Sequence, residues 1–598
     1  MIEHRAATLH TMEVLNRRQL LALFAGRMFG QGVSTRGVKA LPRGKPSGIP
    51  FRANLTDIAA QAGLTAPVIY GGIDRKDYIF ETVGCGVAFF DFDNDGWLDI
   101  FLLSGTRVKD APKSATNRLY KNNRDGTFTD VTARAGLTRT GWASAVTVAD
   151  YNNDGFDDLF ITYYGRNALY RNNGNGTFTD VTAEAGLLAS GSPSRWGSGC
   201  TFVDYDRDGH LDLFVANYLE LDPKTLPQPG ANINCTWKGV PVNCGPRGLN
   251  PGRLQLFHNN GDGTFADVTE SSGIGTKTTG YAMTTVAADF DNDGWPDIYV
   301  ACDSTRSLLF HNNRDGTFRE EALLRGVALS EDGMEQAGMG VAIGDFNLDG
   351  NLDLFKTHFA DDTHVLYQND GKGVFEDVTL RSGLGVETRY IAWGTGMVDF
   401  ENKGWPDLFV VTGSVYPEVA RLRPEYPYKT PRLVFRSLGP SKGGVKFEEL
   451  VEEAGPGVAA VHSSRGCAFG DFDNDGDLDV LIMNMNEPPS LLRNDVTGTG
   501  HWLKVLLIGV KSNRSAIGSR VTCAYDGKIQ AQEVTAQSSF YSVSDRRLHF
   551  GLGPAATADL TIRWTNGGGE TITGVAANQL VVIKEGSGVI RAEKWPKR

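Results

Sequence analysis

Basic charge is in short supply in this sequence. Lys and Arg number 59 against 71 Asp and Glu, leaving a formal net charge of −12. That deficit argues against a nucleic-acid partner and against a basic membrane-surface patch. Long apolar runs are also missing: no segment reaches the roughly 18 apolar residues of a spanning helix, so no integral membrane segment is expected. Cysteine is sparse. Seven in 598 residues do not make a disulfide scaffold, and no C-x-x-C pair points to zinc. Cys85, Cys200 and Cys467 sit in strand-like runs and read as small buried side chains, while Cys235 and Cys244 in CTWKGVPVNC would pair if the protein is exported. Catalytic signatures are absent too: there is no H-E-x-x-H, no P-loop and no dinucleotide fingerprint. GPSKG, residues 439 to 443, matches G-x-S-x-G around Ser441, but it falls at a hairpin position with no strand-to-helix elbow. An enzyme is therefore the less favoured class.

What is abundant is glycine, 72 residues, and a recurring acidic nonapeptide. The glycine content suggests many turns and an all-β chain, and the length exceeds one ordinary core. DFDNDGWLD at 91 returns in variant form at 150, 204, 289, 345, 399 and 471, so the basic period is in the fifties. Two longer intervals carry insertions, one around Cys235–Cys244 and one at YPEVARLRPEYPYKTP, residues 416 to 431. Each copy is followed by an apolar run, then by a segment such as NRLYKNNRDGTF at 117, then by FTDVT and AGL. The Asn-Asn-x-Asp-Gly cluster reads as a hairpin turn, because Asn and Gly tolerate positive φ. Four short strands per unit is what a propeller blade requires. The seventh copy lacks its GTFxDVT piece, and FRANLTDIAAQAGL, residues 51 to 64, supplies it from the other end. The expectation is an all-β, seven-bladed β-propeller over 46–498, its last blade closed by the N-terminal strand. Closure removes two exposed edges; a β-solenoid, the alternative, needs no such complement.

Four carboxylates in nine residues repel one another, and Ca²⁺, which takes six to eight oxygen ligands in flexible geometry, removes the repulsion. The predicted ligands in the first loop are Asp91, Asp93, Asp95 and Asp99 with the Trp97 carbonyl. In the second they are Asp150, Asn152, Asp154, Phe156 and Asp158; in the third Asp204, Asp206, Asp208, His210 and Asp212. The fourth offers Asp289, Asp291, Asp293, Trp295 and Asp297; the fifth Asp345, Asn347, Asp349, Asn351 and Asp353; the last Asp471, Asp473, Asp475, Asp477 and Asp479. The spacing resembles the first part of an EF-hand loop, but Leu102 stands where the twelfth-position Glu belongs. The copy at 399 has Lys403 among Asp399, Glu401 and Asp407, and its ammonium neutralises them. About six calcium ions are expected, with loop 399–407 empty. Mg²⁺ fits less well because it demands tighter octahedral geometry.

NRRQLLALFAG, residues 16 to 26, resembles a twin-arginine export signal, although Arg27 ends the apolar stretch abruptly and no A-x-A site follows. Export to the periplasm or beyond is expected, a cytoplasmic leader being the alternative, and residues 1–45 are placed outside the fold. Residues 499–587 hold short alternating runs, LKVLLIGV, RVTCAY, TIRW and LVVIKE, read as a small β-sandwich with a tail at 588–598. Two polar groups stand apart from the loops: His358 and His364 flanking Asp361 and Asp362, and Asp545, Arg546 and His549, read as pairing within a hairpin.

These motifs carry a family resemblance. The repeats resemble FG-GAP/VCBS repeats, known from integrin α-chain propellers, where such loops bind Ca²⁺. NRSAIGSRV, YSVSDRRLHFGLG and DLTIRWTNG resemble an ASPIC/UnbV domain. Together they resemble the cartilage acidic protein family. The resemblance implies calcium binding outside the cytoplasm and an adhesive or binding role toward an unidentified protein or glycan. Exposed aromatics on the insertions (Trp237, Tyr416, Tyr426 and Tyr428) would favour that role. The alternative is a polysaccharide-active enzyme with paired carboxylates in the propeller funnel.

Overall fold

The computed structural model describes residues 32–275, 280–498 and 500–595; the export-signal expectation at 16–26 lies outside them. Among the described residues, the seven acidic copies generate seven antiparallel sheets of four main strands. The first runs Val87–Phe90, Asp99–Leu102, Arg118–Asn122 and Phe128–Asp130, in chain order. Apolar side chains of the middle strands are buried on both faces, so Asp158–Tyr163 (DLFITY) is covered along its whole length. The seventh sheet borrows its outer strand from the N-terminus: Leu55–Asp57 pairs with Ser490–Asn494, Leu55 opposite Asn494. The insertion 220–250 is closed by the Cys235–Cys244 disulfide, and Cys85, Cys200 and Cys467 are buried.

The first strands of successive sheets pack against one another, and Val87–Phe90 packs against both Ala143–Ala149 and Ser464–Gly470, which closes the cycle. Along its axis runs residues 535–547. Val543 exchanges backbone hydrogen bonds with Val87 and Phe89, and Ser539 with Val341. Gln537 reaches Val146 and Cys200, and the Thr285 hydroxyl reaches Gln537. Thr395 donates to Ser539 Oγ, and Asp545 donates to the Phe469 carbonyl. This one segment thus meets the first strand of every sheet, and Phe540, Tyr541 and Ser542 are fully buried. Gly86 is required here, since a Cβ would lie 1.8 Å from the Tyr541 carbonyl oxygen.

The rest of the C-terminal region forms two four-stranded sheets. One is ordered Leu548–Gly553, His501–Ile508, Gln579–Lys584, Gly588–Glu593; the other Lys528–Glu533, Arg520–Tyr525, Thr557–Arg563, Gly569–Ala576. Leu503, Val505, Val521, Leu560 and Val581 share one apolar core. Two boundary expectations need correction. Residues 588–593 are an edge strand rather than a tail, because Gly588–Glu593 pairs with Gln579–Lys584 and Trp595 packs on Trp502 at 5.7 Å. Residues 33–45 are not outside the fold: Val38 and Leu41 bond the backbone of Asp361 and Gly385, and Arg36 pairs with buried Asp362 at 2.6 Å.

Candidate metal centres

Each acidic loop joins the first strand of its sheet to the second. Asp91 accepts the N–H groups of Asp95 (2.9 Å) and Gly96 (2.8 Å), which caps the turn. Asp150, Asp289, Asp345 and Asp471 do the same in their loops. The fourth position lies at positive φ throughout: Asn94, Asn153, Arg207, Asn292, Leu348, Asn402 and Asn474. The seventh residue donates its N–H to the fifth carboxylate, as Trp97 does to Asp95 (3.0 Å), and Phe156, His210, Trp295, Asn351 and Asp477 repeat the bond. The ninth residue (Asp99, Asp158, Asp212, Asp297, Asp353 or Asp479) opens the second strand and is buried.

That last carboxylate accepts the backbone N–H of the Asn ending the third strand, from Asn122 at 2.8 Å to Asn494 at 2.8 Å. The same Asn side chains donate to carbonyls of the preceding sheet's loop: Asn122 to Phe472, Asn172 to Phe92, Asn259 to Tyr151, Asn312 to Tyr205, Asn369 to Phe290 and Asn494 to Phe400. These asparagines therefore fasten neighbouring sheets. Of the Asn and Gly expected to take positive φ in the hairpin turn, the glycines do so (Gly126, Gly176, Gly263, Gly316 and Gly373). The second positive φ falls two residues after the fastening Asn, at Arg124, Gly174, Gly261, Arg314 and Gly371, rather than on an asparagine. A second set of links runs forward between loops, with Asn94 donating to Gly155, Asn153 to Gly209 and Asn474 to Gly96.

The carboxylates gather as the sequence requires. Ligand atoms of Asp91, Asp93 and Asp99 lie within 4.8 Å of one another, as do those of Asp204, Asp206 and Asp208 and of Asp289, Asp291 and Asp293. Burial pushes Asp99 up to about 8, Asp158 to about 9 and Asp212 to about 8, with neighbouring aspartates adding to the rise. A cation would remove that penalty. The residues fit one on a structural ground: Asp93 Oδ1, Asp206 Oδ1, Asp291 Oδ1 and both oxygens of Asp204 are buried without a hydrogen-bond donor. Acidic clusters that would hold a metal ion are thus present. In the sixth loop Lys403 Nζ lies 3.0 Å from Glu401 and 2.5 Å from Asp407.

Sequence reasoning missed the groups that face the loops from elsewhere. One position on the third strand, just before the fastening Asn, points at the loop. Lys121 pairs there with Asp93 and Asp95. His258 Nδ1 lies 3.3 Å from Asp206 and 3.1 Å from Asp212, and His311 Nδ1 lies 3.5 Å from Asp291 and 3.1 Å from Asp297. The signal was visible as the variable residue in LYKNN, LFHNN and LYQND. From the C-terminal sheets, Arg563 pairs with Asp289, Lys504 approaches Asp471 at 3.4 Å, and Ala531 N donates to Asp345 at 3.0 Å. A cavity of about 730 Å³ remains between the first two loops and these sheets, lined by Leu98, Leu507, Val582, Trp595, Arg514 and Arg546.

The other candidates resolve differently. His358 and His364 are buried, and Asp361 and Asp362 are taken by Lys238 and Arg36. Asp545 pairs with Arg547 rather than Arg546, which crosses to Asp157 at 2.6 Å, and His549 meets Asn402 at 2.7 Å. Ser441 ends a hairpin strand, its hydroxyl donating to Gly444. Trp237 and Tyr416 are buried against each other at 5.6 Å, so the insertions do not present them to solvent.

Comparison with known proteins agrees with this architecture. The FG-GAP-like repeat model matches residues 91–161, 150–215, 247–300 and 289–355, and the ASPIC and UnbV model matches 509–590. The chain thus carries FG-GAP-like repeats followed by an ASPIC/UnbV domain. It is similar to cartilage acidic protein 1 of Mus musculus, 25% identical over 511 residues, covering 81% of this chain and 70% of that protein. The Homo sapiens protein is 28% identical over 282 residues, 45% of this chain and 39% of its own length. An Agrocybe aegerita lectin recognising non-reducing terminal N-acetylglucosamine superposes with a TM-score of 0.36 at 16% identity, over 66% of this chain and 88% of that one, and carries no argument at that level.

Proposed function

We propose that the chain is an exported seven-bladed propeller whose acidic loops bind calcium, about six ions in all, and which serves as a binding or adhesion module for a protein or glycan. The observation that carries the calcium reading is the coincidence of buried, donor-less carboxylate oxygens in loops that are already linked to one another. An ion in each loop would tie two strands of one sheet and, through the Asn fastener, the sheet beside it. The Cys235–Cys244 pair and the similarity to cartilage acidic protein 1 support a location outside the cytoplasm, and among the described residues no helix is long and apolar enough to cross a membrane. A funnel enzyme finds no support, because residues 535–547 fill the axis where its substrate would enter.

The test is a thermal melt of the exported form in millimolar Ca²⁺ and in EGTA, with a metal count on the same sample. Several filled sites stabilise by several kcal/mol through linkage. A rise of many degrees with about six calcium ions is expected. Identical melts and no bound metal would overturn the calcium reading and remove the main support for an extracellular binding role.

A further inference from the structure

The third and fourth loops differ from the others in donor chemistry. In each, a histidine from the third strand stands at the position that Lys121, Arg171, Gln368, Arg436 and Arg493 occupy in the other sheets. His258 joins Asp206 and Asp212, and His311 joins Asp291 and Asp297, as groups whose ligand atoms lie within 4.8 Å of one another. The four nitrogen–oxygen separations run from 3.1 to 3.5 Å. Adjacent ligands on a tetrahedral ion bonded at about 2.0–2.1 Å sit roughly 3.3–3.4 Å apart, so these donors already span the edges of a small coordination shell.

Two further observations point to a ligand in the third loop, whereas in the fourth His311 Nδ1 is hydrogen-bonded to Asp297 at 3.1 Å and Arg325 stands 3.4 Å from Asp291, so that site rests on the spacing of its donors and on the donor-less Asp291 Oδ1. His258 Nδ1 is buried 3.3 Å from Asp206 and 3.1 Å from Asp212, close enough for Asp212 to favour its protonated form but off the alignment of a full hydrogen bond. Asp204, only 2% exposed, opens the same loop, yet neither of its oxygens has a donor. In the six other loops two backbone N–H groups take the equivalent first carboxylate. Gly209 and Asn513 lie close enough to Asp204 to favour its charged form but short of a hydrogen bond. The third loop therefore leaves more ligand capacity open than its sisters.

We propose that loops 204–212 and 289–297 are mixed imidazole–carboxylate sites that select a borderline divalent cation such as zinc over calcium. Calcium takes oxygen ligands and gains little from imidazole, whereas zinc binds neutral imidazole and carboxylate together. The ligands are Asp206, Asp212 and His258 Nδ1 in one site and Asp291, Asp297 and His311 Nδ1 in the other, with water completing the shell. The inference rests on reading the loops as metal sites. In calcium alone all six loops fill; zinc replaces calcium in these two.

The competing role for each histidine is that of a fixed cation, as Lys121 acts in the first loop. The experiment separates the two. The full chain is equilibrated in millimolar calcium with micromolar zinc, freed of excess metal, and assayed for both elements; His258→Lys and His311→Lys, which keep a cation at the position, are treated identically. About two zinc ions are expected in the parent, one in each single variant and none in the double variant. Cobalt in place of zinc should add a visible absorption band that the double variant lacks. Absence of retained zinc in the parent, or zinc retained undiminished by the double variant, would overturn the proposal. Melting curves in EGTA identify any variant that fails to fold, and His258→Gln then stands in. The calcium count from loops 91–99, 150–158, 345–353 and 471–479 is read in the same assay. Zinc without calcium would sink the calcium reading and leave this one standing, and calcium without zinc the reverse.

Discussion

At the fifth loop position the sixth sheet has Lys403 and the seventh has Asp475. Around that change the two neighbours keep one frame. Asn402 and Asn474 lie at φ 54° and 55°, and Asp399 and Asp471 each cap the turn through two backbone N–H groups. The sixth loop carries its own counter-charge in Lys403. The seventh gathers Asp471, Asp473, Asp475, Asp477 and Asp479, all buried, and meets Lys504 from the C-terminal sheets at 3.4 Å. Capping bonds and backbone conformation thus build the loop whatever its charge. The cation that makes burial tolerable is a separate component, internal in one loop and imported in the other.

The largest expected effect comes from removing the internal cation. Lys403→Met leaves Asp399 and Asp407 buried without their ammonium, a change that costs about 3–5 kcal/mol. Its pH dependence has a defined sign. Burial raises Asp407 to about 7, with Lys403 opposing the rise. A carboxyl whose folded pKa lies above its unfolded value, about 3.9, stabilises the fold most below that value, and the contribution is lost as pH rises through the folded pKa. The variant should therefore be weaker relative to the parent at pH 8 than at pH 5. Denaturant melts at both pH values check this; an equal loss at both would mean that Lys403 acts by packing alone.

Lys403→Asp converts the sixth loop toward the composition of the seventh. One extra calcium should appear in a metal count, with calcium-dependent stabilisation of about 3 kcal/mol once free calcium exceeds Kd a hundredfold. The same variant should be less stable than the parent in EGTA. Calorimetry showing no added calcium would mean that ligand type alone does not make the site.

Much of this architecture was legible in the sequence. The repeat, the loops and the strand FRANLTD that completes the seventh sheet all follow from local spacing, and Leu55 pairs with Asn494. Lys403 announced its role because its partners lie within four residues. The central segment was not legible. Nothing local in residues 535–547 marks them as axial, and their partners at Val87, Val146 and Val341 are about two hundred or more residues away. His258 and Lys121 were overlooked for a related reason: hairpin pairing places a third-strand residue against a loop that precedes the second strand. The fastening Asn was seen but assigned to turn geometry, because backbone preference is local and an inter-sheet hydrogen bond is not.

The smallest effects test that fastener, which the sixth sheet again lacks. Ser437 holds the equivalent place within its third strand, Leu433–Ser441, and donates its backbone N–H to Asp407 at 2.8 Å, as Asn494 does to Asp479. Asn494 also sends its side-chain N–H to Phe400 at 3.0 Å, in the preceding loop. Asn494→Ala leaves that buried carbonyl without this donor and should cost about 1–3 kcal/mol, the penalty of an unmet buried polar group. Ser437→Asn offers the sixth sheet the missing donor toward the fifth, with a gain of about 0.5–1.5 kcal/mol, the net worth of one added hydrogen bond. Hydrogen exchange at the fifth–sixth boundary should slow in that variant. If it quickens instead, the added amide does not fit where serine stands, and the sixth sheet has dispensed with the fastener because its internal lysine already holds the loop.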